Sequence, residues 1–464
     1  MKIEINNFGP IHHFEFDLEK DLHLIYGENN VGKSYAVNSL YLLMKNLVYH
    51  YEIAKKNSDH IRLYYLSTLK KLEKNKKSFF ENLIENEWVD ITKELEEGVK
   101  VLLKEELLPK IEASFQNTYS NLEKVTNRYQ KNKPFFCIIR TYIGSLDIQF
   151  ANSTYIDNHT FEKVYLSYQN PFDNMVGTIE VKGAISDTSV FDGKIRDILI
   201  WENIINKLLL KSYLFDYELY ILPSSRSGLY QSINNFGQIF AELSQYRHQI
   251  KADFKIPSFS EPVSDYYLTL SQMNTTHFNE KLRKIGEKIE EEIFEGKISF
   301  DNTTKKIFFS PNNTDLTIEI TQAASMISEL APLVLFLKHI IKEETDKKNI
   351  LIIEEPEAHL HPKTQVKLMK IFAELTKHNV KIIMTSHSDY MLDKVSNMLL
   401  AKELDADKVA VYHIEMTDKG SVVKKDMEAN EMGVEDTNFL PVSEELYEER
   451  MNTIDRLNQQ QDAN

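Results

Sequence analysis

The sequence predicts an α/β fold, and three observations support this class. The apolar run 22–26 leads into a glycine-rich loop and then into a helical pattern at 35–47. Two further short apolar runs, 350–353 and 380–384, are typical of strands buried on both faces of a sheet. A helical pattern at 363–377 separates these two runs. Together with hairpin patterns near both ends of the chain, this alternation predicts a mixed sheet flanked by helices.

Composition and charge exclude several classes of protein. With 464 residues and 42% apolar content, the chain can bury one large core with an elaboration, or two domains. No apolar run reaches the ~18 residues of a membrane span, and Met1 to Gly9 is unlike a signal peptide. We therefore expect a cytoplasmic protein with no membrane partner. The single Cys137 excludes a disulfide framework, and the net charge of −15 argues against general wrapping of nucleic acid.

The order of patterns along the chain predicts four regions. Residues 1–48 hold the first strands and the glycine loop. Residues 49–133 repeat apolar side chains at helical spacing among many Lys and Glu, which indicates a helical insertion. Residues 134–425 return to strand and helix patterns, with a Pro/Ser-rich stretch at 257–265 that suits a loop. Residues 426–464 carry eleven acids against two arginines, a net charge of −9, and form an acidic tail with a terminal helix.

The glycine loop has the pattern that binds nucleotide phosphates. Residues 27–34, GENNVGKS, fit G-x-x-x-x-G-K-[ST] without a mismatch and lie between a strand and a helix. In that arrangement backbone N–H groups around Asn29, Asn30 and Gly32 cradle an anion. Lys33 can reach the β- and γ-phosphates of ATP, and Ser34 can ligate Mg²⁺.

Polar side chains also follow the two buried runs at 350–353 and 380–384. Glu354 and Glu355 come directly after the first run, and Thr385-Ser386-His387-Ser388 ends the second. The carboxyl edge of a parallel sheet is where α/β proteins bind ligands. We therefore expect the acid pair and His387 to face the phosphates held by the glycine loop.

Two weaker elements have alternative interpretations. Pro223-Ser224-Ser225-Arg226-Ser227-Gly228 ends a short strand, so Arg226 could face a nucleotide or belong to a plain surface turn. Ser325 precedes a strongly apolar helix at 327–341. Its backbone could bind a phosphate, or its side chain could simply cap the helix.

As a set, these motifs resemble the ABC-type ATPase heads of the branch that includes SMC proteins, RecF-like repair ATPases and OLD nucleases. The resemblance rests on the order of four stretches along the chain: GENNVGKS, SMISELAPL, LIIEEPEAHLHP and MTSHS. It implies an ABC-ATPase head with an inserted helical arm, and a protein that binds ATP and Mg²⁺.

The resemblance also implies a role for each matched residue. Glu354 stands at the Walker B position and supports the metal, and Glu355 is the general base that activates water. His387 corresponds to the switch histidine that senses the γ-phosphate, and His361 to the D-loop aspartate. Ser325 belongs to the signature element that caps ATP bound by the opposite protomer. The signature element reads Ala323-Ala324-Ser325-Met326, where many relatives have two serines and a glycine. With this degenerate signature, the resemblance implies slow ATP hydrolysis.

Two functional hypotheses follow from this resemblance. The first is an ATPase subunit of a phage-defence system, which forms homodimers and controls a separately encoded nuclease or toxin effector in response to a phage protein. Only ~75 residues follow His387. These are too few for the closing hairpin, the tail and also a Toprim nuclease domain like that of OLD proteins, so we expect the effector to be a separate protein. The second is a RecF-like or SMC-like DNA-repair clamp, for which DNA is the partner. The net negative charge favours the first hypothesis over the second. A third hypothesis, the ATPase subunit of a membrane transporter, is disfavoured by the long insertion.

Overall fold

The computed structural model describes most of the chain outside the helical insertion. It describes residues 1–56, 89–90, 107–120, 135–141, 144–150, 154–161, 164–169, 174–181, 184–192, 217–231, 259–275, 279–342, 348–424 and 427–462, with isolated positions at 104, 125, 127, 129 and 133. Most of the insertion expected at 49–133 lies outside these residues. The four predicted regions therefore stay a prediction.

Among the described residues, eighteen strands and eight α-helices have defined bounds, and short 3-10, π-helical and α-helical segments occur besides them. The strands are β1 Lys2–Phe8, β2 Ile11–Asp17, β3 Leu22–Gly27, β4 Val89–Asp90, β5 Phe135–Thr141, β6 Gly144–Phe150, β7 Thr154–Phe161, β8 Val164–Gln169, β9 Asn174–Val181, β10 Ala184–Asp192, β11 Tyr217–Leu222, β12 Gly296–Phe300, β13 Ile307–Pro311, β14 Ile318–Glu319, β15 Lys348–Glu354, β16 Val380–Thr385, β17 Val409–Thr417 and β18 Gly420–Lys424. The helices are α1 Lys33–Lys56, α2 Leu108–Tyr119, α3 Glu261–Ser271, α4 Glu280–Ile289, α5 Ser325–Leu335, α6 Pro362–Thr376, α7 Asp389–Leu400 and α8 Leu440–Asp462.

An eleven-stranded mixed sheet forms the centre of the molecule. Its order is β11-β15-β16-β3-β17-β18-β2-β1-β5-β6-β7. The first five strands are parallel, and the β17–β18, β2–β1, β1–β5, β5–β6 and β6–β7 pairs are antiparallel. The carboxyl ends of β11, β15, β16 and β3 therefore meet at one edge of the sheet. The predicted α/β class, a mixed sheet flanked by helices, is confirmed.

Helices cover both faces of the parallel strands. Along β15, Ile350 and Ile352 belong to one buried apolar cluster, whereas Leu351 and Ile353 belong to another. Successive side chains of a strand point to opposite faces, so the two clusters lie on opposite sides of the sheet. The first cluster contains the apolar residues of α1 and α2, and the second those of α4 to α7. This double burial explains why β15 reads as a continuous apolar run.

Two smaller sheets complete the described part of the chain. One has the order β10-β9-β8-β4 and the other β12-β13-β14. Helix α3 begins at Glu261 with Pro262 in its first turn, within the stretch 257–265 that we expected to be a loop. That expectation is wrong from Glu261 onward, because proline is well tolerated in a first helical turn. No helix among the described residues is long and apolar enough to cross a membrane.

Candidate functional site: a nucleotide-binding edge

The glycine loop connects the carboxyl end of β3 to the first turn of α1. Gly27 has φ +142°, and a Cβ there would lie 2.3 Å from the carbonyl oxygen of Ile414. Gly32 has φ +101°, and its Cβ would lie 2.6 Å from Cγ of Pro10. Both positions therefore require glycine, because their backbone conformation disfavours a side chain and a Cβ would collide with a neighbouring atom. Asn29 and Asn30 are exposed at the tip of the loop, where a phosphate could approach.

Lys33 lies inside the loop with its ammonium on backbone carbonyls. Its Nζ donates hydrogen bonds to the oxygens of Gly27, at 2.8 Å, and Glu28, at 2.7 Å. Burial lowers the pKa of Lys33 to about 8, although the nearby carboxylates of Glu355 and Glu357 oppose this shift. A bound phosphate would supply negative charge at this position and raise the pKa again.

Glu354 ends β15 beside the first turn of α1. Its side chain is buried, and burial raises its pKa, while Ser34 and Asn38 hydrogen-bond it and oppose the rise. A hydroxyl and a carboxylate at one point are the oxygen ligands that Mg²⁺ prefers. Ser34 and Glu354 therefore fit the predicted Mg²⁺ site in their chemistry. When bound there, Mg²⁺ would offset the negative charge of the phosphates.

Glu355 follows in a strained backbone conformation that neighbouring groups hold in place. Its φ is +45°, which is uncommon for a residue with a side chain. Its N–H donates to the carbonyl and hydroxyl oxygens of Thr385, each at 3.2 Å, at the end of the adjacent strand β16. The side chain is half-buried. This geometry fixes the carboxylate of Glu355 at the sheet edge, near the ammonium of Lys33 and the ring of His387.

His387 lies at the end of β16, exposed and close to the same charged groups. Partial burial of its ring and the charge of Lys33 lower its pKa, whereas Glu355 opposes the shift. The ring is therefore neutral at pH 7 and can donate one hydrogen bond to an incoming phosphate oxygen.

The structure also identifies a site residue that the sequence interpretation missed. Glu357 accepts hydrogen bonds from the N–H of His387 and from Oγ of Ser386, at 2.9 Å for the latter. Burial raises the pKa of Glu357. Its Oε2 is buried and has no hydrogen-bond partner within the described residues. Glu357 thus joins the segment that follows β15 to the segment that carries His387. In the sequence, its signal was that it is the third acid of the stretch EEPE at 354–357.

Arg226 lies neither at a nucleotide-facing position nor in a surface turn, the two alternatives that its sequence context left open. Its side chain is fully buried. Nη1 donates to the carbonyl oxygens of Pro223, at 3.0 Å, and Glu354, at 2.7 Å, and Nη2 donates to that of Glu355, at 3.2 Å. These hydrogen bonds hold the backbone of Glu354 and Glu355 in place. Arg226 is therefore a positioning residue for the two acids.

A buried carboxylate in α5 is the partner of Arg226. Glu329 accepts a hydrogen bond at 3.1 Å from the N–H of Arg226, and its Oε2 lies 3.4 Å from Nε of Arg226. The side chains are 0% and 1% exposed. Oγ of Ser227 donates to the other oxygen of Glu329 at 2.7 Å. This pair ties the helix that starts at Ser325 to the strand end that carries Glu354 and Glu355.

Ser325 and His361 lie at helix N-termini. Ser325 is the first residue of α5, is exposed, and follows Ala324, so the helix has no side-chain cap. His361 caps α6 through Nδ1, which accepts a hydrogen bond at 3.2 Å from the N–H of Lys363. No hydrogen bond or ion pair joins either residue to the glycine loop among the residues described. The side-chain capping alternative for Ser325 is therefore excluded, and its assignment to ATP stays a prediction.

A family model described as the AAA ATPase domain matches residues 1–392 of the 464 in the chain. The chain belongs to this family. The prediction of an ATPase is confirmed at the level of this family, and ATP is the nucleotide that the family implies. Comparison with curated proteins gave no significant match.

Three solved structures of SMC heads resemble the chain over nearly its full length. The SMC head domain from Thermotoga maritima has 9% identity and a TM-score of 0.32, and covers 91% of this chain and 97% of its own. An SMC head bound to the C-winged helix domain of ScpA has 12% identity and a TM-score of 0.36, with 91% and 96% covered. The third is an Smc head domain with an extended coiled coil, bound to the C-terminal domain of ScpA derived from Pyrococcus furiosus. It has 11% identity and a TM-score of 0.36, and the match covers 97% of this chain and 98% of that structure. At such TM-scores these likenesses carry no argument about function.

Proposed function

We propose that this AAA ATPase domain protein binds and slowly hydrolyses ATP between two copies of itself, and that the cycle controls a separately encoded effector in defence against phage. The observation that carries the proposal is the convergence of the glycine loop, Glu354, Glu355 and His387 on one edge of the sheet. These groups lie at the carboxyl ends of three adjacent parallel strands, β15, β16 and β3. Phosphate, metal and attacking water need to be held together at such a point.

Each residue at this edge has a defined chemical task in the proposal. The loop amides and Lys33 bind the phosphates, and Ser34 and Glu354 would hold Mg²⁺. Glu355 takes a proton from the attacking water, since its carboxylate is fixed beside Lys33 and is only half-buried. His387 donates a hydrogen bond to the γ-phosphate.

A second copy would complete the site. Charge develops on the transferred phosphoryl group, and donors on its open side stabilise it. The uncapped N-terminus of α5, with Ser325 exposed, offers free backbone N–H groups for that purpose. We infer that α5 of one copy faces the glycine loop of the other. ATP would then hold the dimer closed, and loss of the γ-phosphate would open it.

The terminal helix α8 supports a protein partner. Its large apolar side chains are 39–64% exposed, namely Leu440, Val442, Leu446, Tyr447, Met451, Ile454 and Leu457. Exposed apolar faces of this length are typical of interaction sites. Six acids against two arginines on this helix favour a partner with basic residues around an apolar groove. In the proposal this partner is the effector, a nuclease or toxin, and a phage protein is the trigger.

Glu355→Gln tests the chemistry of the proposal. We expect ATP turnover to fall at least ~100-fold, because a general base contributes 10²–10⁴-fold, while ATP affinity is retained. Lys33→Ala should abolish ATP binding, because the variant loses the ammonium that holds the phosphates. Phosphate release and binding of a fluorescent ATP analogue measure the two effects. Normal turnover by Glu355→Gln would disprove the assignment of the base.

DNA separates the defence proposal from the alternative, a RecF-like or SMC-like clamp. A clamp should hydrolyse ATP several-fold faster with duplex DNA at low salt, and the stimulation should vanish as salt rises. An effector-controlling ATPase should show the same rate with and without DNA. The measurement is ATP turnover at two salt concentrations with and without duplex.

A further inference from the structure

A second cavity lies at the opposite edge of the same sheet. We name it the amino-edge cavity, because more than half of its lining residues lie at the starts of β3, β11, β15, β16 and β17 or just before them. Its volume is about 430 Å³. This is within the ~300–1,000 Å³ that is usual for ligand pockets.

Lysines dominate the charge of the amino-edge cavity. It is lined by Lys348, Lys381 and Lys408 and, on the acidic side, by Asp21. Nζ of Lys381 donates to Oδ1 of Asp21 and to the carbonyl oxygen of Lys20, both at 2.6 Å, and its side chain is 5% exposed. The Met1 amine and Glu19 also line the cavity, but they pair with each other at 3.2 Å. Their charges cancel.

Two of the three lysines have no acidic partner among the described residues. Within the part of the chain that the structure describes, no ion pair involves Lys348 or Lys408. With Lys381 balanced by Asp21, the cavity keeps two positive charges in a protein whose net charge is −15. Lys348 and Lys408 both act to lower the pKa of Lys381, after the larger effect of burial. Like charges held this close are unfavourable, and a bound anion would relieve the repulsion.

We propose that the amino-edge cavity binds a small anion with at least two negative charges, of the phosphate or phosphate-ester class. The cavity is concave, and Glu19 and Asp21 stand in its wall, which suits a compact anion better than a long polyanion. A nearly buried ammonium with fixed hydrogen bonds provides a rigid contact, and the two exposed lysines can fold onto the ligand.

The position gives this site a direct connection to the nucleotide edge. Strands β3, β15 and β16 begin at the amino-edge cavity and end at Gly27, Glu354 and Thr385. At ~3.3 Å per residue, strands of this length span roughly 20 Å. An anion in the cavity would therefore hold together the starts of the three strands whose ends hold the ATP site. The inference does not depend on hydrolysis at that site.

Binding of sodium pyrophosphate by the full chain tests the proposal. The experiment uses the Lys33→Ala variant, in which the glycine loop no longer competes for phosphate, and isothermal titration calorimetry at fixed ionic strength without Mg²⁺. AMP is titrated as a second probe, so that a phosphate ester is compared with a free phosphate ion. Lys348→Gln with Lys408→Gln removes the two unpaired charges. Lys297→Gln with Lys370→Gln, both exposed elsewhere, is the control with the same change in net charge.

We expect one-to-one binding of at least one probe to the Lys33→Ala protein. It should weaken at least about tenfold in the cavity variant and change less than about twofold in the control. The absence of binding, or an equal loss in both double variants, would overturn the proposal. ATP turnover on the wild-type glycine loop should persist in the cavity variant, which separates this result from a failure of the ATPase proposal.

Discussion

At the scale of single residues, Lys33 makes nucleotide binding depend on pH. Its pKa is lowered to about 8 because the ammonium is partly desolvated. Below that pH the side chain is charged and ready for phosphate, and above it the free protein must take up a proton to bind. His387 has a pKa below its ordinary value and does not titrate in this window.

We therefore expect ATP affinity to be constant below about pH 7.5 and to fall up to about tenfold per pH unit above pH 8. The measurement is the Kd of a fluorescent ATP analogue across this range. Constant affinity up to pH 9.5 would show that Lys33 remains charged in the free protein.

Arg226 and Glu329 show why a positioning residue affects the rate. The guanidinium holds the carbonyls of Glu354 and Glu355, and Glu355 has a backbone conformation that few residues adopt unaided. A lysine keeps the charge but lacks the planar fork that reaches both carbonyls. Misplacement of a catalytic group by ~1 Å can cost about 100-fold in rate.

For Arg226→Lys we expect kcat to fall about 10- to 100-fold with ATP affinity changed less than about twofold. Arg283→Lys is the control, since Arg283 pairs with Glu287 on an exposed face. Steady-state kinetics per mole of folded protein would measure the difference. A kcat that stayed at the wild-type value would show that Arg226 only stabilises the fold.

The sequence predicted the site residues that belong to a local motif. Lys33, Ser34, Glu354 and His387 each stand at a strand end or helix start, where spacing alone indicates their place. Glu329 could not be found in this way, because its role depends on a partner 103 residues away. The available signal was a lone carboxylate in an otherwise apolar helix, since buried acids need a partner.

At the scale of elements, the β3–α1 turn depends on Gly27. An added methyl group would collide with the backbone carbonyl of Ile414, which cannot move aside without shifting β17. Gly228, in the helical segment that starts at Arg226, has open space around it and serves as the comparison position.

Gly27→Ala should lower the free energy of unfolding by about 2 kcal/mol or more and abolish ATP binding. Gly228→Ala should have little effect on the free energy of unfolding or on ATP binding. Thermal unfolding and ATP-analogue binding measure both effects. Similar behaviour of the two variants would contradict the geometry of the turn.

Elements with a strong repeat were predictable, and those that depend on context were not. The apolar runs of β15 and β16 exist because both faces of each strand are covered, so periodicity alone identified them. The start of α3 was missed because Pro262 signals either a loop or a first helical turn. Only packing decides between the two, and here Pro262 and Tyr266 are buried against the rest of the protein.

At the scale of the whole molecule, strand order could not be read from the sequence. The chain places β3 between β16 and β17, about 360 and 390 residues away along the sequence. Nothing local in β3 specifies these neighbours. The position of both motifs at the ends of buried strands nevertheless predicted the result that matters for function, namely that the glycine loop and the acid pair share one edge.

The central claim is that two copies of the chain hold ATP between them. The most direct measurement is sedimentation of Glu355→Gln with ATP and Mg²⁺, alone and combined with Ser325→Arg, which places a bulky side chain at the exposed start of α5. We expect Glu355→Gln to be a dimer with ATP and a monomer without nucleotide, and the double variant to be a monomer although it still binds ATP. A Glu355→Gln protein that binds ATP and remains monomeric would contradict it.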